Sequence, residues 1–204
     1  MTGAIHTRNV TRVFRAATPA QIAAGLDWYT DAHSVAQTIA TAHGLTVEAA
    51  AGIIAALSPL NSWGANVNLA HRLVAAGGLT SGYLGVGLRK ANAILAGTDP
   101  LTVLTSSKIR AFYLGIAFNG ETAEVCIDRH AFDVVTNTRH NDRTRPTVSG
   151  KRYREAAEAY VRAAHILSRE SGEKIHAAQV QAITWKAWRE RYWAAGAWDA
   201  HTVA

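Results

Sequence analysis

Residues 125–132, Val-Cys-Ile-Asp-Arg-His-Ala-Phe, join a short apolar run to the predicted first turn of a helix, with Asp128 at the junction. An Asp at a helix start accepts hydrogen bonds from backbone N–H groups that have no partner inside the helix, which fixes its carboxylate in place. A fixed carboxylate at the edge of a pocket can stabilise developing positive charge or orient a water molecule. On this stretch alone, a structural helix cap and a catalytic acid are equally good interpretations of Asp128.

Length and composition favour an all-α protein. The 204 residues contain only 4 Pro, Ala and Leu are plentiful, and Val/Ile runs of strand length are few. This length suits one domain or two closely packed helical lobes. We therefore expect a single all-helical domain over residues 1–204.

Charge and cysteine content narrow the class of partner. Lys and Arg number 21 against 15 Asp and Glu, which gives a net charge of +6. This charge favours a protein that binds a polyanionic partner, and the alternative is an ordinary basic protein without one. The one cysteine excludes an internal disulfide and a four-cysteine cluster. The nine His are scattered, and no metal or other cofactor is expected. Without a long apolar run or a signal-peptide pattern, we predict a cytoplasmic protein that does not enter a membrane.

The first third of the chain contains clear helix signals. Residues 1–17 carry scattered arginines and predict a loosely docked basic arm. Thr18-Pro19 is a typical helix start, and the helix that it opens is expected to end near Gly44. Residues 46–57 are apolar on nearly all sides, so this next helix is expected in the middle of the fold.

A turn follows this apolar helix. Pro59 disfavours helical geometry at Ser58, so the helix is expected to stop there and the next one to start near Ser62-Trp63. The turn Leu-Ser-Pro-Leu-Asn-Ser-Trp is therefore the predicted corner of a cleft. Further helices are expected over residues 80–97, 101–104 and 108–118.

The segment after Asp128 is strongly basic. Residues 139–154 hold six Lys/Arg and one Asp, the densest basic cluster of the chain. A solvated loop and a loop that contacts phosphates, through Arg143 and Arg145, are equally good interpretations. C-terminal helices are expected over about 149–194. The last of them combines aromatic residues with cations, which suits either a core stripe with a charged outer face or a surface that stacks bases and holds phosphates: Trp185, Lys186, Trp188, Arg189, Arg191 and Tyr192.

Four segments, taken in order, resemble the helix-hairpin-helix (HhH-GPD) DNA glycosylase superfamily, in particular its endonuclease III-like members. They lie within about residues 49–136 and read AAGIIAALSPLNSWGANVNLA, LRKANAIL, SSKIRAFYLGIAF and VCIDRHAFDVV. The first is similar to the family's central helix and Leu-Ser turn, and the last to the Val-Asp-Thr-His motif that carries the catalytic aspartate. The resemblance places the catalytic carboxylate on Asp128 and its accompanying histidine on His130.

The sequence also departs from the family pattern. The hairpin turn, normally Gly-x-Gly, reads Leu104-Thr105-Ser106-Ser107, and the strand-cleaving lysine of bifunctional members matches only Lys108. The cysteine count excludes the family's iron–sulfur cluster. The resemblance therefore implies a compact, divergent member with two helical lobes and a cleft between them. Related glycosylase-like proteins of viruses are linked to the making of modified thymines in DNA, so a base-modifying role stays open.

The resemblance implies an enzyme that acts on a flipped-out base of DNA, with Asp128 as its catalytic group. Two alternatives stay open: a transferase that builds on a thymine derivative with the same fold, and a non-catalytic basic helical protein that binds DNA. We expect a monomer. Besides Asp128, the candidate residues are Lys108 and His130 for catalysis, Tyr113 and Trp185 for the pocket, and Asn61, Trp63, Asn66, Lys108, Arg110, Arg129, Arg143, Arg145, Lys186 and Arg189 for DNA binding.

Overall fold

The computed structural model describes residues 2–141 and 143–192, which form helices and no β-strand, so the predicted all-α class is confirmed. The helices within these ranges are α1 (Thr2–Arg15), α2 (Pro19–His43), α3 (Val47–Ala56), α4 (Trp63–Ala75), α5 (Gly85–Leu95), α6 (Pro100–Val103), α7 (Ser107–Ala117), α8 (Arg129–Thr136), α9 (Gly150–Ser171) and α10 (Ala177–Tyr192).

By their internal contacts the described residues divide into two compact units. The first contains residues 2–29 and 120–192, and the second contains residues 30–119. We expected a single domain over the whole chain, and each unit is described separately below.

The first unit is built around α1, which packs against α8, α9 and α10. The predicted loosely docked arm was wrong, because residues 2–15 form a helix with one buried face. Val10 and Thr11 are buried, whereas Arg8, Arg12 and Arg15 are exposed on the other side. The apolar positions recur at helical spacing, and the arginines between them concealed that pattern.

Helix α2 begins where the sequence predicted. The Thr18 hydroxyl accepts a hydrogen bond from the Gln21 backbone N–H (3.2 Å), and Gln21 Oε1 accepts one from the Thr18 N–H (2.9 Å). This reciprocal pair is a capping box. Further along, Gly25 lies so close to α10 that an added Cβ would be 2.5 Å from Ile183 Cα. The glycine therefore sets how closely the backbones of α2 and α10 approach each other.

The second unit has α3 at its centre, in contact with α4, α5, α6 and α7. Its residues 50–56 are all buried, as their nearly uniform apolar character predicted. Thr46 caps the start by accepting a hydrogen bond from the Ala49 N–H (3.1 Å), and the helix ends before Pro59. Gly52 lies against the ring of Pro100, where an added Cβ would be 2.8 Å from Cγ.

The segment before α5 differs from the prediction of a helix over residues 80–97. Residues 79–84 form an irregular, bent segment, and α5 begins only at Gly85. The Asn92 side chain holds this segment, because it accepts from the Leu79 N–H (3.1 Å) and donates to the Leu79 carbonyl (2.7 Å). Here the Asn92 side chain takes the place of a backbone hydrogen-bonding partner, and such a contact is not visible in the hydrophobic periodicity of the sequence.

Among the described residues, no single helix has both the length and the apolar character needed to cross a membrane. The bent pair of α2 and α3 meets that requirement jointly, on length and composition alone.

Replacement of Gly52 by Ala tests the close packing of α3 on α6. We expect Gly52→Ala to lower the free energy of unfolding by about 1–3 kcal/mol, since the new methyl group overlaps a rigid proline ring. Gly64→Ala in α4 is the control, because a Cβ there meets no atom within 4 Å. Urea unfolding of both variants checks this, and equal stabilities would contradict the packing argument.

Candidate active site

Asp128 is the N-cap residue of α8, and both of its carboxylate oxygens accept hydrogen bonds. Oδ1 accepts from the Ala131 backbone N–H at 2.7 Å, and Oδ2 accepts from the Trp185 indole Nε1–H at 2.8 Å. The predicted helix cap is therefore confirmed, and a second donor from α10 is added. The residue is only half-buried, so Asp128 is held on two sides while part of it stays exposed.

The backbone around Asp128 is fixed by two tyrosines of α9. The Tyr153 hydroxyl donates to the Val125 carbonyl (2.7 Å) and accepts from the Ile127 N–H (3.3 Å). The Tyr160 hydroxyl donates to the Ala131 carbonyl (3.1 Å). Burial raises the pKa of both tyrosines above the usual value, so their hydroxyls stay protonated as donors. The residues on either side of Asp128 are thus tied to the core.

Trp185 lies at the centre of a group of rings and charges. Its ring centroid is 5.9 Å from that of Trp28, and Arg189 Cζ is 4.6 Å from its centroid. Arg189 is only 1% exposed. Burial lowers the pKa of its guanidinium, whereas the negative charge of Asp128 raises it. The sequence suggested a phosphate contact for Arg189, but its buried position favours support of Trp185 and Asp128.

His130 is buried two residues after Asp128. Its ring centroid is 6.3 Å from that of Trp185, with the two rings nearly perpendicular. Burial lowers the pKa of His130 to about 4; the Asp128 charge opposes this, and the positive charges of Arg129, Arg189 and Arg145 reinforce it. His130 is therefore neutral at pH 7 in the folded protein.

Asp133, on the next turns of α8, is a buried acid that the sequence analysis did not select. It is 0% exposed. His140 Nδ1 is hydrogen-bonded to its Oδ1 at 2.7 Å, and Arg145 Nη2 donates to its Oδ2 at 3.2 Å. Burial raises its pKa, and the hydrogen bonds from His140 and Arg145 oppose the shift. Arg145 also donates to the His140 carbonyl (2.6 Å). The basic loop, which is the part of residues 139–154 that precedes α9, is thus tied to α8. Of its two candidate DNA-binding residues, Arg143 and Arg145, only Arg143 is exposed.

An Asp between buried apolar neighbours, followed by a basic loop, was the available signal for this cluster. The run Phe132-Asp133-Val134 places the acid on the inner side of a short helix, where an unpaired carboxylate would be costly. The cations that pair with it lie further along, in a loop whose path the sequence does not reveal.

The second unit contains the other candidate residues. Asn66 is fully buried and donates to the Ile54 carbonyl (3.1 Å), and Asn61 donates to the Leu57 carbonyl (3.4 Å). Tyr113 is buried, and burial raises its pKa. Arg110 is exposed, whereas Lys108 and Trp63 are half-buried. In the first unit, Asp128, His130, Trp185 and Arg189 form one cluster, while Arg129 and Lys186 are half-buried on the same two helices.

Leu60 is a surface feature of the second unit that was not among the candidate site residues. It is 71% exposed and has a left-handed backbone, with φ at 58°. The Tyr83 hydroxyl donates to the Pro59 carbonyl, which holds the turn in this form. A large apolar side chain that is presented to solvent on a strained backbone is a candidate for function. A leucine in a turn gave no chemical signal beyond its apolar character.

Residues 1–192 match the model of a family described as a family of unknown function (DUF7178), and the chain belongs to that family. No curated protein and no solved structure matches the chain.

A double-mutant cycle measures the bond between Trp185 and Asp128. Asp128→Asn keeps a good N-cap residue, and Trp185→Phe removes the indole N–H while an aromatic ring remains. We expect a coupling free energy of about 1–2 kcal/mol in urea unfolding, because the acceptor is charged. The same cycle of Trp185→Phe with Glu155→Gln, which affects a different carboxylate of the unit, should give none. Equal couplings would contradict the bond.

The lowered pKa of His130 predicts a pH-dependent stability. Above about pH 6.5 neither state gains a proton; between pH 6.5 and 4 the unfolded state takes up a proton at His130 and the folded state does not. As the pH falls through this range, the free energy of unfolding of the wild-type protein should fall by up to about 3 kcal/mol relative to that of His130→Asn. Urea unfolding of both proteins from pH 7.5 to 4 measures the difference, and a constant difference would contradict the lowered pKa.

Proposed function

We propose that this chain is a DNA glycosylase-like enzyme that acts on a flipped-out base, with the Asp128 carboxylate as its catalytic group. The observation that carries the proposal is the fixation of Asp128 by the Ala131 N–H and the Trp185 indole while it remains partly accessible. A carboxylate that only capped a helix would not need a second donor from another helix. Preorganised groups of this kind need little reorganisation when charge develops beside them.

The chemistry assigned to Asp128 is the stabilisation of positive charge on a sugar. A base inside a duplex is out of reach, so the nucleotide must leave the stack first. When the glycosidic C–N bond breaks, its electron pair leaves with the base and positive charge builds on the sugar. The Asp128 carboxylate stabilises this charge and orients the water that adds to the anomeric carbon, as carboxylates do in glycoside hydrolysis. The proton that this water loses passes to the departed base, which left as an anion.

The neighbouring residues have distinct roles in this proposal. Trp185 is a positioning residue, since its N–H fixes Oδ2 of the carboxylate. Its ring, next to that of Trp28, adds an aromatic surface of the kind on which bases stack. His130 is not assigned as a proton donor, because it is neutral at pH 7 and buried.

The second unit offers groups suited to the DNA strand. Leu60 is an exposed apolar side chain in a held turn, the type of residue that proteins insert between base steps. The exposed Arg110 and half-buried Lys108 at the start of α7 would bind backbone phosphates. These features support DNA as the partner, together with the net charge of +6.

A glycosylase assay with Asp128→Asn tests the proposal. Purified protein is incubated with duplexes that carry uracil, hydroxymethyluracil, alkylated or oxidised bases, and abasic sites are scored. We expect the wild-type protein to release at least one of these bases and Asp128→Asn to be slower by about 10²-fold or more, since the charge that stabilises the transition state is lost. The asparagine retains the helix cap, so the fold is expected to persist.

Asp27→Asn is the matched control, because it removes an exposed carboxylate from α2 and should leave the rate unchanged. Activity that survives Asp128→Asn would remove Asp128 from the mechanism. Mass spectrometry of nucleosides from the treated DNA separates the related reaction: new modified nucleosides without abasic sites would indicate a transferase. DNA binding that falls steeply with salt, without any product, would indicate a non-catalytic protein.

A further inference from the structure

A cavity of about 480 Å³ lies in the first unit, and Asp128 is not among its lining residues. Its wall is formed by the end of α1, the start of α2, the residue after α8 and the last turns of α10. This volume is within the usual range for small-molecule sites, roughly 300–1,000 Å³. The lining residues are Arg12, Val13, Ala16, Thr18, Gln21, Asn137, Ala187, Trp188, Arg191 and Tyr192.

The charge of this cavity is positive. Two arginines line it, Arg12 and Arg191, and the lining contains no carboxylate. Within residues 2–141 and 143–192, neither arginine forms an ion pair: Arg12 has a long contact with Asn9 Oδ1 (3.5 Å), and Arg191 lies over the Tyr192 ring. Glu190, beside the cavity on α10, accepts a hydrogen bond from Gln21 Nε2 at 2.6 Å. Both guanidinium groups are thus open to an anion.

The rest of the lining is apolar and aromatic. Trp188 and Tyr192 have ring centroids 4.4 Å apart with an interplanar angle of 51°, and Val13, Ala16 and Ala187 complete this side. Flat rings bind well against such a surface. An inorganic anion would leave this side unfilled, so the cavity suits a molecule that carries both a phosphate and a flat heterocycle.

We propose that this cavity binds a nucleotide, with its phosphate between Arg12 and Arg191 and its base against Trp188 and Tyr192. The nucleotide is either a free mononucleotide or one unit of a single strand, since the recognition chemistry is the same. This site contains none of the Asp128 cluster and does not rest on the proposed function.

Calorimetric titration of the full chain tests the site. The probes are deoxyadenosine monophosphate, deoxyadenosine and a single-stranded oligodeoxyadenylate. We expect the monophosphate or the oligonucleotide to bind, and the double variant Arg12→Gln/Arg191→Gln to bind at least about tenfold more weakly. Arg152→Gln/Arg154→Gln is the matched control: it removes the same charge from exposed positions on α9 and should change affinity by less than about twofold.

Binding of the monophosphate assigns a free nucleotide, and binding of the oligonucleotide alone assigns a strand. The proposal is overturned if deoxyadenosine binds as tightly as the monophosphate, if both double variants lose affinity equally, or if no probe binds. Asp128→Asn should bind like the wild-type protein, so this result is independent of the glycosylase assay.

Discussion

The hydrogen bonds to the two oxygens of Asp128 are the constraint on which the candidate site depends. One donor is the backbone of α8 and the other is the indole of Trp185 on α10. With one of these hydrogen bonds alone, the carboxylate could still rotate about that bond. The two bonds together fix the plane of the carboxylate. Because Tyr153 and Tyr160 of α9 hold the adjoining backbone, three helices determine the position of one side chain.

Helix α8 carries two aspartates whose surroundings give them opposite characters. Asp128 begins the helix at a half-buried position, where its charge can act on a bound molecule. Asp133 is fully buried, and His140 and Arg145 contact it, so its charge is used to hold the basic loop. The residue type is the same, and burial together with the available donors decides the role. A reactive site requires an accessible acid, whereas a stable scaffold requires that a buried acid such as Asp133 be paired.

Local signals explain which parts of the structure were predictable. Thr18-Pro19, Thr46, Ser62 and Asp128 all begin helices as expected, because capping depends on neighbours within a few residues. Trp185 was selected as a pocket residue, but its bond to Asp128 spans 57 positions, and no local pattern encodes such a pair. The same holds for the buried face of α1 and for the partners of Asp133. The glycosylase-like arrangement stays a prediction from resemblance.

The division of the chain has a consequence for biogenesis. Residues 30–119 are contiguous, whereas the other unit needs residues 2–29 and 120–192 together. On the ribosome, α1 emerges before α8, α9 and α10, the helices that it packs against. The intervening segment can fold before these packing partners are made. Closing so long a loop is entropically costly and slow. The hydrogen bonds to Asp128 would be complete only after translation has passed Trp185, so a shorter nascent chain would carry this carboxylate without its indole donor.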